Sequence, residues 1–196
     1  MDDPSPLTRI DDTVPVPEKR IDIAREIPSG YYIKERGISL FQAGKIETYG
    51  QGCDGPVEKV VRDFMVQGAW VSLIDMKAGI EHFGRKIPDT MDMILVVLDP
   101  TLESVSIAKR IEGFCRKTKM ENFWLILNKI SSKEMEAMMM EKLGELKGKI
   151  IGSVPYDPEL VQGELAGGSL ITDKPGKDIK QIVAGLEKSV LDKNKS

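Results

Sequence analysis

Met93-Ile94-Leu95-Val96-Val97-Leu98-Asp99-Pro100-Thr101 is the stretch that decides the fold class. Its first six residues are all apolar, so no solvent face is left; that is the pattern of a strand in a parallel sheet covered on both sides. Asp99-Pro100-Thr101 ends the run, and Leu102, Val105, Ala108, Ile111 and Cys115 then recur at helical spacing. The same grammar repeats downstream. Phe123-Trp124-Leu125-Ile126-Leu127 reads as a buried strand ending at Asn128-Lys129. Met135, Met138, Met139, Leu143 and Leu146 line the next helix. Lys149 to Val154 is a strand stopped by Pro155, and Ile179, Ile182, Val183, Leu186 and Val190 form a terminal amphipathic helix.

Upstream, Ile38 to Phe41 is the first apolar run, and Trp70 to Ile74 reads as a strand ending on Asp75. Between them Val57, Val60, Val61, Phe64 and Met65 share one helical face, with Pro56 in the first turn, where its missing N–H costs nothing. The expectation is an α/β protein: a mostly parallel sheet of about five strands, flanked by four or five helices. Residues 1–30 hold Pro4, Pro6, Pro15, Pro17 and Pro28. Such spacing breaks helix and sheet alike. This predicts an extended N-terminal segment over 1–30 and one domain over 31–196.

Composition narrows the function classes. The 196 residues are 41% hydrophobic and 30% charged, with a formal net charge of -3. That balance opposes a broad nucleic-acid-binding face. No run approaches the ~18 apolar residues of a membrane span, and the acidic start Met1-Asp2-Asp3-Pro4 is not a signal peptide. The expectation is a cytoplasmic protein that binds neither nucleic acid nor membrane. Two cysteines, Cys53 and Cys115, and one histidine, His82, exclude a disulfide scaffold and a poly-histidine metal site.

In open α/β sheets ligands sit at the carboxyl ends of the strands. The residues there are Asp75, Asp99, Asn128-Lys129 and Pro155-Tyr156-Asp157. Asp75, with Gly79 four residues on, has the pattern of a switch loop in a P-loop nucleotidase. The carboxylate holds Mg²⁺ through water, and the glycine lets a backbone N–H approach a γ-phosphate. A simple strand-end cap is the other reading of Asp75. Gly-Lys occurs at 44–45, 148–149 and 176–177, but never before Ser or Thr. These 196 residues therefore hold no Walker A cradle, and Mg-ATP binding no tighter than about millimolar is expected.

Four segments together resemble a known family. They are Gly50-Gln51-Gly52-Cys53-Asp54-Gly55-Pro56, then Ile74-Asp75-Met76-Lys77-Ala78-Gly79-Ile80-Glu81-His82-Phe83-Gly84-Arg85, then Val96-Val97-Leu98-Asp99-Pro100-Thr101, and Leu127-Asn128-Lys129. In this order they are similar to the CooC-type nickel-insertion ATPases of the MinD/ParA/nitrogenase-iron-protein group, over about residues 38–170. The resemblance implies a deviant P-loop fold without its N-terminal strand and P-loop. It also implies a dimeric ATPase that matures carbon monoxide dehydrogenase, its client. By matching position it implies catalytic roles for Asp75, the Mg²⁺-associated aspartate, and Gly79, the γ-phosphate-sensing glycine. Asn128 corresponds to the adenine-contacting residue, with Pro155 and Asp157 on the other side of the base. ATP and Mg²⁺ are the implied cofactors.

Three features depart from the family pattern. The P-loop segment is absent from this stretch. The Cys-x-Cys motif is reduced to Cys53-Asp54-Gly55, and Lys77 stands where an acidic residue is usual. Cys53, in a glycine-rich loop, is either an exposed thiol or one half of a two-thiolate nickel or zinc site across a homodimer axis. Cys115 is read as core, and His82 as a loop histidine rather than a ligand. The rival reading is a degenerate, non-hydrolysing binding module or a gene fragment of the same ATPase group.

Overall fold

The computed structural model describes residues 20–21, 28, 30, 32–41, 65–66, 71–76, 79–80, 83, 91–167 and 173–193. The chain divides into two compact units, residues 1–90 and 91–196.

In the second unit three parallel strands lie in chain order: β5 (Ile94–Leu98), β6 (Phe123–Ile130) and β7 (Ile150–Pro155). Helix α1 (Leu102–Thr118) follows β5, and α2 (Lys133–Leu143) follows β6 and runs into a 3₁₀ turn, Gly144–Lys149. After β7 come α3 (Pro158–Leu165) and α4 (Asp173–Lys193). The starts of the first two helices are dictated locally. The Thr101 hydroxyl accepts the Ser104 N–H, and the Ser132 hydroxyl accepts the Met135 N–H, each satisfying one donor that the first helical turn leaves orphaned.

Residues opposite one another in a parallel register share a face. Val96 pairs with Leu125 and Leu98 with Leu127; all four are buried and join Val105, Ala108, Ile111, Cys115, Met139 and Leu143 in the core. Val97, Ile126 and Gly152 make a row of the opposite parity. Helix α4 packs on β7, and a Cβ on Gly152 would stand 2.5 Å from Ile182 Cγ1. Glycine is required there so that helix and strand can approach closely.

The first unit is built differently. β2 (Tyr32–Glu35) and β3 (Ile38–Phe41) form an antiparallel hairpin. Its two-residue loop has φ 49° at Arg36 and 82° at Gly37, the positive values that match hairpin twist. The Tyr32 and Phe41 rings, opposite in register, lie 5.1 Å apart. β1 (Arg20–Ile21) and β4 (Met65–Val66) pair in parallel over two residues each.

Several expectations are corrected. Ile38 to Phe41 is a strand, but of a hairpin rather than a βα unit. Residues 71–76 take no strand, and Val71 is 92% exposed; a strand needs a partner for its N–H and C=O groups, and no ladder reaches these residues among those described. Met65 pairs in β4 instead of continuing a helix; Val57 to Phe64 lie outside the described residues. On one face of the apolar β5 Val97 is 58% exposed, where the all-apolar run predicts burial on both faces. Leu102 and Met138 point outward, off the buried stripes of their helices. Lys129 and Pro155 lie inside their strands rather than after them.

Candidate functional site at the carboxyl edge of the sheet

The carboxyl edge of the three-stranded sheet gathers the polar residues of the second unit. Asp99 follows directly on β5. Pro100 restricts its backbone to extended conformations. Its carbonyl accepts the Thr101 N–H and the Ser104 hydroxyl at the start of α1. The carboxylate is thus carried on a stiff corner. Its Oδ1 accepts the Asn128 side-chain N–H at 3.0 Å, and its Oδ2 pairs with Lys129 Nζ at 2.6 Å.

Asn128 and Lys129 are consecutive, so in a regular strand they would point to opposite faces. Both reach Asp99 because β6 is bulged there. Leu127 pairs with Ser153 and Ile130 with Pro155: three steps along β6 match two along β7. Lys129 sits at φ 55°, an uncommon conformation for a residue with a side chain. A bulge re-aims side chains in this way. The pattern was not legible in the sequence, where Asn128-Lys129 carries no glycine to signal it.

One strand over, the Tyr156 N–H donates to the Ile130 carbonyl at 3.0 Å and ties the end of β7 to that of β6. Pro155 is exposed, whereas Asp157 is buried, 8% exposed. Asp157 Oδ1 accepts the Glu159 N–H at 2.9 Å and so caps α3, whose first residue is Pro158. Asp157-Pro158 ahead of Leu160-Val161 is the local signal for this helix, which is too short to show a helical period. Asp157 Oδ2 is buried with no hydrogen-bond partner among the described residues. A buried carboxylate oxygen left unpaired is costly, and a donor from a ligand or a water would satisfy it.

Of the expected site residues, Asn128, Pro155 and Asp157 therefore share this edge. Asp75 and Gly79 fall in the first unit. Asp75 is exposed and does not end a strand. Gly79 has φ 138°, a conformation that side-chain-bearing residues rarely adopt. The Phe83 N–H donates to the Ile80 carbonyl at 3.1 Å in the turn that follows. Cys53 and His82 lie outside the described residues. Among the described residues no three His, Cys, Asp or Glu side chains come together as a metal site, and no helix is long and apolar enough to cross a membrane. Cys115 is buried in α1, and burial pushes its thiol up to about 11, as its core assignment requires.

A parallel sheet with helices between its strands gathers polar side chains at the strands' carboxyl ends, where open α/β sheets bind their ligands. The chain is similar to an ATP-binding protein of Methanocaldococcus jannaschii, 35% identical over 150 residues, which cover 74% of this chain and 58% of that protein. It is likewise similar to the carbon monoxide dehydrogenase accessory protein CooC of Rhodospirillum rubrum, 30% identical over 146 residues, or 72% of this chain and 55% of that protein. The resemblance to CooC-type ATPases read from the motifs is therefore found along most of the sequence, although the chain spans little more than half the length of either relative. Among solved structures, a ParA family ATPase from Chlorobium tepidum matches 79% of this chain and 66% of its own length, at 15% identity and a TM-score of 0.47. No protein-family model matches the sequence.

Proposed function

We propose that this chain acts as a CooC-like, ATP-dependent accessory protein that promotes nickel insertion into carbon monoxide dehydrogenase. The observation that carries the proposal is the cluster of Asp99, Asn128, Lys129 and Asp157 at one sheet edge, in a chain 30% identical to CooC over 146 residues. Asn128 contacts the adenine, and Pro155 and Asp157 flank it. Asp75 serves the Mg²⁺ through water, and Gly79 offers its N–H to the γ-phosphate; its φ of 138° supports that use of a glycine. Bound Mg²⁺ supplies charge stabilisation on the transferring phosphoryl group. The protein works in the cytoplasm as a homodimer. Cys53 of two copies holds nickel or zinc in an open two-thiolate site, suited to transient holding rather than permanent storage. Nickel is cargo here.

The test is removal of the gene from its host. Carbon monoxide dehydrogenase should then accumulate nickel-deficient and be rescued by excess nickel in the medium. Normal nickel content without the gene overturns the reading.

A further inference from the structure

We propose that Asp99 is a positioning residue that fixes which way round the Asn128 amide stands, and thereby selects adenine over guanine. This rests on the reading that Asn128 meets the base. The carboxylate of Asp99 accepts hydrogen bonds and has none to give. Lys129 occupies Oδ2 at 2.6 Å, and the Asn128 amide nitrogen meets Oδ1 at 3.0 Å. Had the amide been turned over, two oxygens would face each other. Its NH₂ end is therefore committed to Asp99, and its carbonyl oxygen points the other way, as an acceptor.

That orientation has a chemical consequence. Adenine carries an exocyclic amino donor at position 6, where guanine carries an oxygen acceptor. An acceptor presented to that edge bonds adenine and repels guanine, the same logic by which amide side chains read base edges. The corner that carries Asp99 is itself held, by Pro100 and by the Thr101 and Ser104 bonds to its carbonyl. The bulge at Lys129 brings Asn128 within reach. The selectivity would thus reside in a residue that need not touch the nucleotide.

The experiment uses the isotopically labelled full chain, titrated separately with ATP and GTP to about 20 mM, a range chosen for weak binding. The Asn128 side-chain amide and the backbone amides of 128–130 are followed by NMR. Wild type should favour ATP by about tenfold, the scale of one hydrogen bond gained against one acceptor clash. Asp99→Ala should bring the two nucleotides to within about twofold. Asp99→Asn keeps the size of the side chain but replaces one acceptor oxygen with a donor NH₂. It should do the same, with the core amides unmoved. Lys129→Ala leaves the acceptor in place and should retain the preference. If both Asp99 variants keep the wild-type ratio, the positioning role is wrong while the base contact survives. If neither nucleotide moves Asn128 in wild type, the base contact itself fails, and the inference with it.

Discussion

The two units use similar short apolar runs and treat them in opposite ways. In the second, Leu98, Leu125, Leu127 and Leu143 are at most 1% exposed. In the first, Ile33, Ile38 and Leu40 of the hairpin stand 62–71% exposed, and Leu73 reaches 87%. The difference is one of layers. β5, β6 and β7 form a parallel sheet whose connecting helices fold back onto it, and a buried strand face is the result. A two-stranded hairpin supplies a ladder but no covering layer, and alone is marginal. Apolar content decides that a segment can be a strand; a covering layer decides whether its face leaves water.

The sharpest way to break this comparison is to truncate one leucine in each unit. Leu125→Ala should cost about 2–5 kcal/mol, the range for large-to-small changes in a packed core. Leu40→Ala should cost within about 0.5 kcal/mol, as surface changes do. Urea unfolding midpoints measure both, and equal costs would mean that the hairpin is as well packed as the sheet. Next in size, Gly152→Ala forces a methyl against Ile182 at 2.5 Å and should destabilise by about 1–3 kcal/mol through overpacking. Ile182→Ala, which removes that Cγ1, should cost less in the Gly152→Ala background than in wild type; equal costs would place the strain elsewhere. Thr101→Ala removes the cap of α1 and should cost about 1 kcal/mol, seen as a lower melting temperature, with Thr101→Ser restoring most of it.

The smallest effect concerns the thiols. Cys115 is held protonated by burial, its pKa raised to about 11 from 9.0. A raised folded-state pKa means the unfolded chain loses its proton first, so this contribution is intact below about pH 9 and fades as pH climbs toward 11. In native protein near pH 8 a thiol reagent should modify Cys53 and leave Cys115 untouched until unfolding. Early labelling of Cys115 would show that α1 is not packed as described.

How much of this was legible in sequence varies residue by residue. β5 to β7 and α1, α2 and α4 follow from apolar runs and helical periodicity, because a parallel sheet buries continuous runs that stand out. The hairpin is only half visible in sequence: Ile38 to Phe41 stands out as an apolar run, while Tyr32 to Glu35 mixes apolar and charged residues and does not. Val71 to Ile74 take no strand, because apolar composition cannot supply a ladder partner. At the site, the strand-end rule pointed to Asp99, Asn128, Lys129 and Asp157 as a group, but not to their bonds.

By itself the sequence determined the α/β class of the second unit, the core place of Cys115 and the gathering of Asp99, Asn128 and Asp157 at the carboxyl side of the strands. These rest on local chemistry: propensity and period depend on residues a few positions apart. Only the tertiary structure decided that Val97 of β5 stays exposed, that a bulge turns both Asn128 and Lys129 toward Asp99, and that Asp157 is buried with one oxygen unpaired among the described residues. Each of these depends on register between segments some thirty residues apart. Register is set by which side chains and backbone groups find partners across space, which no local window contains.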